Sequence, residues 1–126
     1  MAVNTQQISE AFSGHRFPET YEHLAEEVRW VLDGEGTIEG KDAVVAACDS
    51  SAAEMAELER IEFSPFDSVA GDRIAVIDAE ARYDSPDGSV SVVSSADVYE
   101  FDGEGLVTTI TSYAVELDAQ RRQQET

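Results

Sequence analysis

The architecture of this chain can be worked out from residues 94–117, SSADVYEFDGEGLVTTITSYAVEL. Two runs rich in β-branched and aromatic residues flank DGEG, which is a turn signal, so the stretch predicts a β-hairpin. Successive side chains of a strand point to opposite faces, and Asp97 therefore shares a face with Val93, Tyr99 and Phe101. An unpaired carboxylate is costly among apolar side chains, so Asp97 marks either a polar site on that face or a misread strand, and the first is favoured.

Upstream segments extend this hairpin into an antiparallel meander. The four strands are predicted at residues 60–66, 73–83, 89–101 and 106–117. The segments AGD, DSPDG and DGEG separate them, and each carries the glycine, proline or aspartate that tight turns require. The second half of the chain therefore forms one sheet of long strands.

The first half of the chain is mainly helical. Residues 4–14 predict a short amphipathic helix that is capped at Asn4 or Thr5 and stopped by Gly14. Three further elements follow in order: a short helix, a strand that runs into glycine turns, and the longest helix, which carries one apolar stripe. These elements are predicted at residues 17–27, 28–32 and 41–59.

Composition indicates one domain with one core. The chain has 126 residues, 42% of them hydrophobic, which suits a single domain over residues 1–117. Residues 118–126, DAQRRQQET, have no apolar periodicity and are expected to form a frayed polar tail. The sequence contains neither a long apolar run nor the basic-then-apolar order of a secretion signal, so we expect a cytoplasmic protein.

Charge and cysteine content limit the kinds of partner and cofactor that this chain is expected to bind. Twenty-seven acidic residues against eight basic ones give a formal charge of -19, which repels nucleic acids and anionic membranes. Cys48 is the only cysteine, so an internal disulfide is excluded. The two histidines provide at most a fragment of a metal site. The sequence predicts no metal and no other cofactor.

The order of elements gives an α+β fold, in which a curved antiparallel sheet wraps around the N-terminal and central helices. This order, together with residues 23–44, HLAEEVRWVLDGEGTIEGKDAV, and residues 94–117, resembles the nuclear transport factor 2-like superfamily and its SnoaL-like proteins. The resemblance implies a cystatin-like α+β roll. It also implies a cone that related proteins use as isomerases, epoxide hydrolases, polyketide cyclases or non-enzymatic binding domains.

The resemblance carries over one catalytic position of the ketosteroid isomerases. Asp97 matches the aspartic acid that donates a hydrogen bond to the substrate oxyanion in those enzymes, a well-known case of a carboxyl kept neutral by apolar surroundings. Leu32 and Ile8 stand at the positions of the isomerase base and tyrosine. Without a base and a second donor, ketosteroid isomerase activity is rejected.

Limonene-epoxide hydrolases provide a second comparison, in which this chain also departs from the pattern. Trp30 and Leu32 match the tyrosine and asparagine that hold water in those enzymes, and Asp78 and Glu80 match an arginine and an aspartate. Ser112 matches a further aspartate and also the acid expected in SnoaL-type cyclases. No known catalytic set is complete.

The turn DSPDG, residues 84–88, allows two registers for the strands it joins. A two-residue turn at Asp87 and Gly88 sends Asp78, Glu80 and Arg82 into the cone. A type I turn with a left-handed Gly88 instead sends an apolar stripe inward. That stripe consists of Ile77, Ala79, Ala81 and Tyr83. The second register is favoured because the charged side chains then face water.

The candidate site is centred on Asp97, as an acid or a hydrogen-bond donor. The residues predicted to contact the ligand are Trp30, Leu32, Val93, Tyr99, Ile110 and Ser112. Cys48 lies on the apolar stripe of the long helix, so we expect it to be buried packing. His15 and His23 have no partners at metal-binding spacing, so surface or capping roles are expected for them.

Two function classes remain. In the first, the cone binds a small, largely apolar ligand, and Asp97 supports isomerase, dehydratase or cyclase chemistry. In the second, the chain is a non-enzymatic dimeric binding or scaffold domain with a vestigial pocket. The resemblance also implies a homodimer formed through the outer sheet face, where an apolar set is expected. That set is Val92, Val98, Val107, Thr109, Thr111 and Tyr113.

Overall fold

The computed structural model describes residues 4–117, so the predicted polar tail at residues 118–126 lies outside the described part. The elements are α1 (Thr5–Ser13), a 3₁₀ helix (Phe17–His23), β1 (Leu24–Leu32), β2 (Gly36–Glu39), α2 (Lys41–Met55), β3 (Arg60–Ala70), β4 (Ile74–Asp84), β5 (Val90–Phe101) and β6 (Val107–Glu116). The predicted α+β order is confirmed. The sequence predicts only turns where β2 lies, because the three glycines in and next to this four-residue strand are typical of turns.

The six strands form one curved sheet in the order β2-β1-β6-β5-β4-β3. All neighbours are antiparallel except β1 and β6, which run parallel. The sheet is therefore mixed, whereas the sequence predicted an antiparallel one. The parallel pair arises because α2 carries the chain from β2 at one edge of the sheet across the molecule to β3 at the other edge. The meander then ends with β6 beside β1.

Helix α1 ends in a way that matters for the site. It begins at Asn4, whose side chain accepts from Gln7 in a capping box. At the other end the Arg16 N–H bonds to the Ala11 carbonyl at 2.8 Å and the His15 N–H to the Phe12 carbonyl at 3.1 Å. These two bonds form a Schellman motif, in which the left-handed position is usually glycine. Here that residue is His15, with φ 64°.

Helix α1 thus ends where the sequence predicts, at Gly14, but Gly14 is not the residue with the left-handed backbone. Gly14 itself has φ -85°, which any residue can adopt. A Cβ at this position would lie 3.0 Å from the Glu10 carbonyl oxygen, so the helix end favours the absence of a side chain at Gly14. The left-handed conformation then falls on the next residue.

The turn between β4 and β5 adopts the second of the two predicted registers. Gly88 has φ 90°, and the Gly88 N–H bonds to the Ser85 carbonyl at 3.0 Å. Ile77 consequently pairs with Asp97 across the strands. Asp78 and Glu80 lie on the outer face, as the favoured interpretation predicted.

A β-bulge changes one predicted face. The pairing of β5 with β6 shifts between Phe101↔Val107 and Glu100↔Thr109, which leaves Thr108 as an extra residue. Val107 is therefore buried in the core rather than on the outer face, and its place in the predicted outer set is wrong. Beyond the bulge, Thr109, Thr111 and Tyr113 return to the outer face.

The core fills the space between the concave sheet face and the helices. α1 packs on β3, β4 and β5, whereas α2 packs on β1 and β2. The largest fully buried side chains include Tyr99, Ile77, Ile110, Val28 and Val44. Asp97 is thus placed on the face of the sheet that the helices cover.

Candidate functional site

Two adjacent rows of side chains on the concave sheet face form the centre of the candidate site. The first row crosses four strands as Ile77, Asp97, Ser112 and Leu32, and the second as Ala75, Tyr99, Ile110 and Trp30. Five of the six predicted contact residues therefore lie on these two rows with Asp97. The sixth, Val93, is on the same face but four residues further along β5, about 13 Å from Asp97.

Asp97 is held by two hydroxyl groups that reach it from different elements. Ser13, at the end of α1, donates to Asp97 Oδ2 at 2.7 Å, and the Ser112 hydroxyl of β6 also bonds to the carboxyl. Each serine hydroxyl also has a second hydrogen-bond partner. Ser13 Oγ lies 2.5 Å from the Tyr99 hydroxyl, and the Trp30 indole donates to Ser112 Oγ at 2.9 Å.

The direction of these hydrogen bonds follows from the donor inventory. The Trp30 indole is a donor only, so it must donate to Ser112, and the Ser112 proton is then directed to Asp97. When Ser13 gives its only proton to Asp97, Tyr99 becomes the donor to Ser13. Two chains of hydrogen bonds, from Tyr99 through Ser13 and from Trp30 through Ser112, therefore end at the Asp97 carboxyl. Both serines act as hydrogen-bond donors to it.

Burial dominates the electrostatics of Asp97. Burial raises the pKa of its carboxyl above the ordinary value of 3.8, whereas the Ser13 and Ser112 hydrogen bonds and nearby His15 oppose that rise. The same carboxyl affects its neighbours: burial, with a further contribution from the Asp97 charge, raises the pKa of Tyr99 well above 10.0 and that of Tyr83 above 10.0. A carboxyl in this setting can exchange protons nearer neutral pH than an exposed aspartate does.

His15 is a neighbour of Asp97 that the sequence did not place in the candidate site. Its ring stacks on Phe17, with centroids 5.3 Å apart, and on Tyr83 at 6.3 Å, and it meets Phe63 edge-on at 5.3 Å. Burial lowers the pKa of His15 below 6.5, and the charge of Asp97 opposes this. The ring is therefore half-buried rather than on the surface, whereas the other expected role, capping, fits the position of His15 at the closed end of α1. The sequence signal was Gly14 just before it, which places His15 where a helix end turns back on itself.

The other two singled-out residues lie away from Asp97. Cys48 is fully buried on α2, and burial, with a smaller effect of Asp49, raises the pKa of its thiol to about 12. It is therefore packing, as predicted, and a poor nucleophile. His23 ends the 3₁₀ helix beside Glu22, on an outer groove of about 560 Å³ that also includes Arg16 and Glu19.

Within residues 4–117, no group of three or more histidine, cysteine, aspartate or glutamate side chains is arranged to hold a metal ion. The helices of this described part are also too short or too polar to cross a membrane.

Comparison with known protein families identifies the family of this chain. The family model described as SnoaL-like domain matches residues 5–110, which contain every element from α1 to the first part of β6. None of the curated proteins matches the sequence significantly.

Solved structures share the fold. A nuclear transport factor 2-like protein of unknown function from Cytophaga hutchinsonii is 27% identical, with a TM-score of 0.76 over 86% of this chain and 93% of that one. SalBIII is an epoxide hydrolase/cyclase-like enzyme described in pyran ring formation in the polyether salinomycin. It is 15% identical, with a TM-score of 0.65 over 86% and 87%. TerC, co-crystallised with polyporic acid, is 13% identical, with a TM-score of 0.60 over 93% and 90%.

Proposed function

Because the chain belongs to the SnoaL-like domain family, we propose that the concave sheet face around Asp97 binds a small, largely apolar ligand. In this proposal Asp97 is the acid or hydrogen-bond donor of an isomerase, dehydratase or cyclase. The observation that carries it is the Asp97 carboxyl, buried on an apolar face and held by Ser13 and Ser112. The cyclase-type chemistry named for SalBIII and the ligand bound by TerC support the class of function.

The geometry supports a defined division of roles. Trp30 and Leu32 supply apolar surface beside Asp97 and Ser112, and such a mixture of apolar walls with few polar groups is typical of small-molecule sites. When protonated, Asp97 donates to a ligand carbonyl or enolate oxygen. When ionised, it can accept a proton from the ligand, and the two serine hydroxyls stabilise the carboxylate.

The ligand can be captured directly. Native mass spectrometry of the purified protein, before and after incubation with a metabolite extract, is expected to show a small molecule that denaturation releases. Asp97→Ala should lose this molecule, because both the donor and the acceptor are removed. Asp78→Ala is the matched control, since Asp78 lies one residue away in register on the outer face and is exposed.

A wild-type protein that retains no small molecule under either condition contradicts the proposal. That result favours the non-enzymatic scaffold class, in which the Asp97 hydrogen bonds serve only to satisfy a buried carboxyl. Retention by both aspartate variants would place the ligand elsewhere.

We also propose that two copies pair through the outer sheet face. One row across the sheet there is made only of β-branched side chains: Val69, Val76, Val98, Thr111, Val31 and Thr37. Val69 is 76% exposed, so this row presents apolar surface that a second copy would cover.

Light scattering at moderate salt, which screens the acidic charge, is expected to give the mass of a dimer. Val98→Asp places a carboxylate in the middle of the row and should give monomer. Ala53→Asp adds the same charge on an exposed position of α2 and should remain dimeric. A monomeric wild type at micromolar concentration contradicts the pairing.

A further inference from the structure

His15 is held in a conformation that its residue type does not favour. A residue with a Cβ at left-handed φ costs about 1–2 kcal/mol, and His15 has φ 64°. The cost is offset by packing, because Phe17 and Tyr83 stack with the ring and Phe63 meets it nearly at a right angle. Backbone strain that surrounding packing maintains is a feature of functional sites.

The protonation state of the His15 ring follows from its surroundings. Nδ1 is buried and has no hydrogen-bond partner among the described residues. A proton on Nδ1 would leave a buried donor without an acceptor, both in the Nδ1–H tautomer and in the imidazolium. The neutral ring therefore carries its proton on Nε2.

His15 and Asp97 lie at opposite ends of one part of the concave sheet face. The ring of His15 packs on Phe63 and Tyr83, and Phe63 pairs with Ala81 across the sheet. From there to Asp97 the face carries Ala81 and Ala79, with Val93, Ser95 and Phe66 paired beside them. Ser13, two residues before His15, donates to Asp97 Oδ2 at 2.7 Å, so both groups lie within reach of one small molecule.

We infer that His15 is a second ligand-binding residue of the Asp97 site, and that it donates a hydrogen bond from Nε2 of a neutral imidazole. The ligand class that fits is a flat, conjugated compound with oxygen acceptors at opposite edges, one for Asp97 and one for His15. The aromatic and small side chains between the two groups suit a flat ring. This inference rests on the proposed function, because it requires a ligand at Asp97.

The test uses 2-hydroxy-1,4-naphthoquinone, which is flat and has oxygens at opposite edges of its rings. Binding is followed by quenching of Trp30, the only tryptophan. Two variants remove the donor differently: His15→Phe keeps the aromatic packing, and His15→Gly suits a left-handed backbone. Each is expected to weaken binding about tenfold to a hundredfold, as for the loss of one hydrogen bond to a charged or strongly polar group.

Two controls separate His15 from general effects. His23→Phe makes the same replacement at the end of the 3₁₀ helix and should bind like wild type. Naphthalene, which has no oxygen, should bind wild type and His15→Phe equally. Wild-type affinity for the naphthoquinone in both His15 variants, with loss in Asp97→Ala, overturns the role of His15 and leaves the proposed function standing. A wild type that does not bind, or binding that Asp97→Ala leaves unchanged, overturns both.

Nitrogen NMR of the ligand-free protein gives a readout that packing alone does not determine. At neutral pH the His15 ring is expected to show the Nε2–H tautomer. An Nδ1–H tautomer or an imidazolium under these conditions overturns the inference.

Discussion

Asp97→Asn is expected to keep ligand binding largely intact while it abolishes proton transfer by the site. Asparagine retains the shape and an N–H donor, but it has no titrating proton. Loss of a general acid or base typically lowers a catalysed rate by about 10²–10⁴-fold. Asp97→Ala should lose binding as well, by about tenfold or more. Isotope exchange of ligand protons in solvent D₂O, together with a binding titration, measures both effects.

The same variant should change how stability depends on pH. The pKa of Asp97 is raised in the folded state, so this group favours folding fully at pH values below 3.8. Its contribution disappears as pH rises through the folded pKa. Relative to wild type, Asp97→Asn should therefore gain stability as pH rises above 3.8, and Asp78→Asn supplies the matched control. A constant difference between wild type and Asp97→Asn across this range contradicts the raised pKa.

Phe12→Ala is expected to destabilise the fold by about 3–5 kcal/mol. Phe12 is 3% exposed and packs edge-to-face on Phe17, Trp30 and Tyr99, with centroids 5.0, 5.1 and 5.9 Å apart. These contacts join α1 to both rows of the site, because Ser13 follows Phe12 directly. The loss is a large part of the 5–15 kcal/mol that a domain typically has.

Chemical denaturation followed by Trp30 fluorescence and by far-ultraviolet circular dichroism measures this loss. Val69→Ala removes apolar volume from a side chain that is 76% exposed, and should change stability by no more than about 0.5 kcal/mol. A loss below about 1 kcal/mol for Phe12→Ala would mean that α1 is not part of the cooperative core.

Local pattern was enough to predict the residues at the centre of the candidate site. Alternation along β5 placed Asp97 on the face of Tyr99, and the turn chemistry of Gly88 favoured the register that the structure shows. Both are short-range signals that depend on a few neighbouring residues. For the same reason the α+β roll could be predicted from the order of helices and strands.

The features that the sequence did not reveal are those that depend on contacts distant along the chain or on backbone angles. The bulge at Thr108 interrupts the alternation of β6 without a glycine or proline to mark it, so Val107 was placed on the wrong face. The parallel pairing of β1 with β6 joins segments about 80 residues apart in register. The inward position of His15 follows from the sign of one φ angle, which composition does not indicate.

The most direct test of the account is the titration of the Asp97 carboxyl by carbon NMR in the folded protein, with Asp97→Asn used to assign the resonance. The account predicts a pKa above 3.8, because burial among Ile77, Tyr99 and Ile110 outweighs the hydrogen bonds from Ser13 and Ser112. A pKa at or below 3.8 would mean that the hydroxyls keep Asp97 ionised. In that case it could not be the protonated donor of the proposed site.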